Sequence, residues 1–329
     1  MTTYNVCVVG ATGLVGQTIR DILEERQFPV KELIPFATSR SAGKKITFNG
    51  EEYTIQELTE DSFKNNEIDI ALFAAGGDVS KQYAPLAMEA GAFVIDNSSY
   101  YRMDETVPLV VPEVNASDIS QTDRLVANPN CSTTQSVVAL KPLEDDFGLK
   151  RVVYNTYQAV SGSGHKGLND LKDGTTTAYK YSIQDNVLPQ IDVFLENGYT
   201  KEEMKMVNET HKILGNKDLP ITATAARVPI ANGHAISINA ELSKPFELED
   251  VVDSLSKGAG ITIVDDTNND IYPLEEEASG TDQVYIGRIR RDFSVENGVN
   301  IWVVADNIRK GAATNTVQIA ENIVENILA

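Results

Sequence analysis

The chain has 329 residues, of which 42% are hydrophobic and 23% charged, which is the make-up of a globular protein with room for two domains or one large α/β domain. A net charge of −20 argues against nucleic acid or an anionic membrane as the main partner, so an anionic substrate has to be drawn in by local Arg and Lys. Two cysteines make no disulfide framework and fit a reducing cytoplasm; no basic apolar leader and no apolar run of about 20 residues points to secretion or a membrane span.

Tyr4–Val9 is a short apolar, β-branched run. It leads at once into Gly10-Ala-Thr12-Gly13-Leu14-Val15-Gly16 and then the helix pattern Gln17–Arg26. Strand, glycine turn and helix in this order suit a dinucleotide, with a mere tight turn as the alternative: glycines let the backbone approach, and the helix N-terminus meets a pyrophosphate. Cys7 lies inside the strand and reads as core. The second strand is expected over Glu32–Ala37. An NAD-selective domain places an acid after it; here the stretch is Thr38-Ser-Arg40-Ser41-Ala-Gly-Lys. Hydroxyls and a guanidinium suit the 2′-phosphate of NADP, with a solvated basic loop as the alternative.

Ile68–Ala74 and Ala92–Ile95 read as strands buried on both faces, with a helix over Val79–Ala90 between them. Arg102 follows the carboxyl end of the second, where ligands of such sheets bind, although alone it reads as a surface arginine. Val107–Val111 and Leu125–Ala127 are expected to complete the sheet. Cys131 then sits where the apolar run ends and a helix begins, with Ser132, Thr133 and Thr134 as candidate caps. The positive end of a helix favours a thiolate, the reactive form of cysteine. A small buried hydrophobe is the other reading.

Beyond Leu149 the pattern changes. Val152–Gln158 alternates as a strand, followed by the turn Ala-Val-Ser161-Gly162-Ser-Gly; Leu168–Asn186 is polar, a helix and then a loop. Thr200–Leu214 is a helix opened by a capping box of Thr200 and Glu203. Glu202 and Lys205 share a neighbouring face, as a solvated ion pair or a pocket lining. Ile221–Val228 and Ala235–Leu242 look like antiparallel strands joined through Pro229–His234. Further strands are expected over Ile261–Asp265, Val284–Arg290 and Asn300–Ala305, with Trp302 as core and a closing helix over Gly311–Leu328. The fold class is α/β: a Rossmann-type dinucleotide-binding domain (1–130 plus 309–329) and an α+β catalytic and dimerisation domain with a mixed sheet (131–308).

Taken together, the chain resembles the aspartate-β-semialdehyde dehydrogenase family, in its Gram-positive-type branch. The matching pieces are GATGLVG at 10–16, SRSAGK at 39–44, DNSSYYR at 96–102, VPLVVPEVN at 107–115 and NPNCST at 128–133. TYQAVSGSG at 156–164, LPQIDVF at 188–194, EEMK at 202–205, RVPIANGH at 227–234, GRIRRD at 287–292 and WVVADNIRKGAA at 302–313 continue the match. Two departures stand out: the segment between Gly164 and Leu188 is short for that branch, and Ala-Asn-Gly precedes His234.

The resemblance implies a reaction. Cys131 attacks β-aspartyl phosphate, phosphate leaves, and NADPH reduces the thioester to aspartate semialdehyde, a step toward lysine (through diaminopimelate), threonine and methionine. It implies His234 as acid/base, with His165 and His211 read as surface, and Gln158 orienting the intermediate. Arg227 would hold the α-carboxylate, Glu202 the α-amino group, and Arg102 with Lys205 the phosphate. NADP(H) would be lined by Thr12, Gly13, Leu14, Val15, Arg40, Ser41, Ser161, Gly162 and Asn307, with no metal. Small-molecule substrate and inorganic phosphate are the implied partners, and a cytoplasmic homodimer or tetramer the implied assembly. N-acyl-glutamyl-phosphate reductases share the chemistry but set their cysteine in a Gly-Cys-aromatic-Pro context, unlike Asn130-Cys131-Ser132. A non-catalytic NADP-binding regulator would have no use for Cys131, Gln158, Arg227 and His234 together.

Overall fold

The computed structural model describes residues 2–328. Contacts divide the chain into two units, Met1–Pro129 with Ala312–Ala329, and Asn130–Gly311.

The first unit opens with β1 (Tyr4–Val9), α1 (Leu14–Glu25) and β2 (Val30–Ala37). All six residues of β1 are buried, as a continuous apolar run covered on both faces has to be. A hairpin of β3 (Lys45–Phe48) and β4 (Glu51–Thr54) turns on Asn49 and Gly50, both at positive φ. Asn-Gly is the turn that such a hairpin selects. β5 (Gln56–Glu57), β6 (Ile70–Phe73), α2 (Gly77–Glu89), β7 (Phe93–Asp96), α3 (Pro112–Asn115) and β8 (Leu125–Ala127) follow. The sheet runs β5-β2-β1-β6-β7-β8, all parallel. β1 lies at the point where strand order reverses, so its glycine turn opens at the ligand-binding crevice of this fold. Val107–Val111 is no strand. Pro108 and Pro112 lack donors, and the stretch contributes only a bridge between Leu109 and Ala127.

The second unit holds α4 (Cys131–Phe147), β9 (Leu149–Gln158), α5 (Gly164–Asp173), α6 (Lys201–Leu214), β10 (Ile221–Arg227) and β11 (His234–Leu242). It continues with α7 (Leu248–Lys257), β12 (Ile261–Ile263), α8 (Glu275–Ala278), β13 (Val284–Asp292) and β14 (Gly298–Ala305). Its sheet is mixed, in the order β10-β9-β11-β14-β13-β12. β10 and β11 are not neighbours, contrary to the sequence reading: β9 lies between them, parallel to β10 and antiparallel to β11. Val152, Tyr154, Thr156 and Gln158 of β9 are buried on the face packed by α4, α6 and α7. On the other face Ala278 of α8 packs on Ala235 and Val304, and the remaining side chains of β9 and β11 there are half-buried or exposed. Trp302, expected in the core, lies there half-buried, its ring 5.4 Å from that of exposed Tyr157.

The closing helix is α9 (Thr314–Ile323), with π-helical turns at Arg309–Ala313 and Val324–Leu328. Its Val317, Ile319, Ala320 and Ile323 join Ile19, Ile22 and Leu23 of α1 in the core of the first unit.

Candidate active site

In the second unit the sheet register sets three side chains in a row. Arg227 at the end of β10 pairs with Gln158 at the end of β9, and Ala235 of β11, next to His234, pairs with Tyr157. Cys131 begins α4. Its helix is capped by Asn130 and not by the hydroxyls that follow: Asn130 Oδ1 accepts from the N–H of Ser132 at 3.0 Å and of Thr133 at 3.3 Å. Ser132, Thr133 and Thr134 are fully buried in the first turn instead. Asn preceding an apolar helix is a capping signal in its own right. Cys131 is partly accessible, whereas Cys7 is buried within β1, where desolvation pushes its thiol far up.

Cys131 Sγ lies 3.4 Å from His234 Nε2. The other ring nitrogen, Nδ1, accepts the N–H of Ala159 at 3.0 Å. A neutral imidazole so held carries its proton on Nε2, facing the sulfur. Burial, and then the charge of Arg227, push His234 down to about 3, against a backbone bond at Gly233 that favours the charged form. The ring is therefore a neutral donor, able to hydrogen-bond a thiolate or an oxygen on a carbon attached to it.

Gln158 Nε2 donates to Thr156 Oγ1 at 3.2 Å and to Glu202 Oε1 at 3.3 Å. Glu202 is only 4% exposed, so the solvated-face reading fails. Its Oε1 also accepts from Asn130 Nδ2 at 2.8 Å, and its Oε2 pairs with Lys205 at 3.1 Å. Lys205 reaches Asp192 as well, at 3.0 Å. Burial draws the Lys205 ammonium down, but Glu202 and Asp192 outweigh it and hold the pKa above its ordinary value. Glu203 completes the capping box with Thr200 and accepts the N–H of Ala225 at 3.0 Å.

Arg227 is buried; its Nη1 donates to the carbonyl of Ala159 at 2.7 Å. Its Nε is buried without a hydrogen-bond partner among the described residues. An unpaired buried donor is costly, and an anionic group would satisfy it. Gly162 passes so close that a Cβ there would stand 2.9 Å from Arg227 Nη1. Asn307 Nδ2 donates to Ser161 Oγ at 3.0 Å, and its Oδ1 accepts the N–H of Gly233, next to His234, at 2.9 Å. His165 is exposed as read. His211 is not a plain surface residue: it is half-buried, its Nε2 2.7 Å from the carbonyl of Leu219.

In the first unit, Gly10 has φ +87°, and a Cβ there would meet the Ala74 carbonyl at 2.6 Å. A Cβ on Gly16 would meet the Gly10 carbonyl at 2.2 Å, so the turn packs against α1 only as glycine. Gly13 is the N-cap of α1, and no side chain caps that helix. Its leading N–H groups suit a pyrophosphate. Thr12, Leu14 and Val15 are half-buried on this turn. Arg40 is exposed and Ser41 half-buried in the turn after β2. Arg102 is buried, correcting its reading as a surface arginine: Nε donates to the carbonyl of Asn128 at 2.9 Å and Nη2 to that of Asn97 at 2.8 Å. Among the described residues there is no cluster of three His, Cys, Asp or Glu placed to hold a metal, and no helix long and apolar enough to cross a membrane.

Two family models match the chain: semialdehyde dehydrogenase, NAD binding domain, over residues 5–122, and semialdehyde dehydrogenase, dimerisation domain, over residues 140–310. An aspartate-semialdehyde dehydrogenase of Aquifex aeolicus is 51% identical over 98% of both chains. The chain belongs to the aspartate-semialdehyde dehydrogenase family. The family member of Bacillus subtilis is 45% identical over 97% of both chains. Aspartate semialdehyde dehydrogenase II of Vibrio cholerae, solved as a complex with ASA, superposes with a TM-score of 0.95 at 44% identity over 99% of both chains. A Candida albicans family member solved with NADP has a TM-score of 0.77 at 27% identity, over 98% of this chain and 99% of that one.

Several site-building groups carry no chemistry that the sequence advertises. The Ala159 N–H is a backbone group. Gly311 matters by what it lacks: a Cβ there would lie 2.7 Å from Cys131 Cβ. Glu209, 1% exposed, accepts the N–H of Asn130 at 2.6 Å from seven residues beyond Glu202 on α6. Two buried carboxylates two helical turns apart are the one signal that points to it.

Proposed function

We propose that this chain is an NADP-dependent aspartate-semialdehyde dehydrogenase, converting β-aspartyl phosphate reversibly to aspartate semialdehyde and phosphate. The observation that carries the reading is the 3.4 Å approach of Cys131 Sγ to a His234 ring nitrogen whose proton faces the sulfur. Helix start and His234 donor together favour a thiolate. The thiolate attacks the acyl carbon; a C–S bond forms as the C–O bond to phosphate breaks, leaving a thioester on Cys131. His234 Nε2–H and Gln158 then act on the acyl oxygen, stabilising the charge that gathers there.

Arg227, with its unpaired Nε, is assigned the α-carboxylate, and Glu202 the α-amino group. Lys205 is assigned the phosphate in the second unit, as Arg102 is in the first. The uncapped start of α1 fits a dinucleotide pyrophosphate, so Thr12, Gly13, Leu14 and Val15 would hold it, with Arg40 and Ser41 at a 2′-phosphate. Ser161, Gly162 and Asn307 carry the same assignment in the second unit. When bound, NADPH supplies the hydride that reduces the thioester.

The partly covered face of the second sheet, with half-buried Trp302 beside exposed Tyr157, supports a homodimer. The test is phosphate-dependent NADP reduction with aspartate semialdehyde. Activity that ignores phosphate, or that prefers N-acetylglutamate semialdehyde, overturns the reading.

A further inference from the structure

The segment 164–188 carries one buried carboxylate that gathers a loop around itself. Asp170 on α5 is fully buried. Its Oδ1 accepts from Thr175 Oγ1 at 2.5 Å, the Thr177 N–H at 2.9 Å and Thr177 Oγ1 at 2.8 Å. Its Oδ2 accepts the N–H of Ala178 at 2.7 Å and of Tyr179 at 3.3 Å. Burial alone would raise this carboxyl, but the bonds from Thr175, Thr177 and Ala178 outweigh it and hold the group well below the usual range. Five donors on one carboxylate fix a loop that has no helix or strand of its own.

What the clamp delivers is Tyr179. Its ring lies 5.9 Å from the guanidinium carbon of Arg227, and its hydroxyl donates to Ser163 Oγ at 3.0 Å. Gly167 leaves room for it, since a Cβ there would stand 2.8 Å from that hydroxyl. Arg227 is thus held by the Ala159 carbonyl at Nη1, by the close backbone of Gly162, and by an aromatic face. A guanidinium binds carboxylate bidentately only in its own plane, so whatever fixes that plane fixes the fork.

We propose that Tyr179 is a specificity-determining residue, which sets the plane of Arg227 for the α-carboxylate of the substrate. The inference rests on the assignment of Arg227 made above. Tyr179 meets Arg227 with its ring, Ser163 with its hydroxyl and Asp170 with its N–H, so its loss falls on recognition and spares the chemical step.

The experiment compares aspartate semialdehyde with 3-aminopropanal, which lacks the carboxylate, in the phosphate-dependent assay on the full chain. Y179A raises KM for aspartate semialdehyde at least ten-fold, with kcat and the KM for NADP within three-fold of wild type. Its kcat/KM for 3-aminopropanal is unchanged. Y179F restores the KM to within three-fold, because the ring remains, and Y179L does not. An unchanged KM in Y179A, an equal loss on both aldehydes, or a Y179L that matches Y179F overturns the proposal. If Y179A fails to fold, Y179L against Y179F makes the same decision. Wild-type protein without activity on aspartate semialdehyde instead overturns the functional reading beneath it.

Discussion

Asn130 and Glu202 share a 2.8 Å hydrogen bond from Nδ2 to Oε1, and the same Asn130 side chain caps the helix that begins at Cys131. Glu202, assigned to substrate, thus also steadies the cap of the helix that begins at Cys131. Asn130→Ala removes the cap and should cost about 0.5–2 kcal/mol in urea unfolding. It should also slow iodoacetamide modification of Cys131. Glu202→Ala leaves the side-chain amides of Asn130 and Gln158 and the Lys205 ammonium each short of a partner, so both stability and substrate use should fall. Glu203→Ala, which breaks the capping box and the bond to Ala225, should lower the urea midpoint with little kinetic change. A Glu202→Ala protein as stable as wild type contradicts this network.

His234 gives a stability dependence on pH with a definite sign. Its folded pKa is depressed to about 3 from 6.5, by burial first and Arg227 second. Between those values the unfolded chain binds the extra proton, so stability is lost as pH falls from 6.5 towards 3 and is fully present above 6.5. The slope for one proton is at most about 1.4 kcal/mol per pH unit. Urea unfolding of wild type and His234→Asn at pH 7.5 and pH 5 isolates this contribution, since other groups cancel in the difference. Wild type should lose more on acidification, and identical losses refute the neutral, buried assignment.

Arg40 is exposed on the turn after β2, where only the 2′-phosphate of NADP would engage it. Arg40→Ala should weaken NADP by roughly ten- to a hundred-fold, the effect of a lost charge-assisted hydrogen bond, and leave NAD nearly unchanged. Titration of intrinsic fluorescence with each dinucleotide decides it, and equal loss for both removes Arg40 from the site.

Gly311 lies against Cys131. A methyl group at this position would stand 2.7 Å from Cys131 Cβ and 3.1 Å from its Cα, so Gly311→Ala has to move the start of α4. Overpacking of this kind costs about 1–3 kcal/mol. Thermal unfolding should register that, and alkylation of Cys131 should slow while NADP binding persists. Normal turnover in a folded Gly311→Ala protein would show that the contact is dispensable.

What the sequence made legible follows from where the signal is local. The glycine turn after Tyr4–Val9 and the capping box at Thr200–Glu203 are short patterns with one physical meaning each, and both stand in the structure. The order of β10, β9 and β11 is not local, because a strand two helices earlier inserts between two that are adjacent in sequence. Glu202 and Lys205 look solvated on a helical wheel; only the packing of α6 against α4 buries Glu202. The cap at Asn130 was missed because three hydroxyls downstream compete for the same role. The tautomer of His234 depends on a backbone N–H that no residue type announces.

Cys131 carries the most decisive prediction. Cys131→Ser changes little in volume at a partly accessible helix start, so the protein should fold and bind NADP as before. Turnover should nevertheless collapse, because a serine hydroxyl is hardly ionised near neutral pH and His234, already protonated at Nε2, cannot take its proton there. The wild type should accumulate a thioester with β-aspartyl phosphate, seen as added mass on the Cys131 peptide after acid quench. Iodoacetamide should modify Cys131 well before Cys7, which is buried in β1 with its thiol pushed up by desolvation. Were Cys131 merely a packed hydrophobe, the pattern would invert, with Cys131→Ser costing stability and sparing catalysis. A folded Cys131→Ser protein that still reduces NADP at a wild-type rate ends the thioester mechanism.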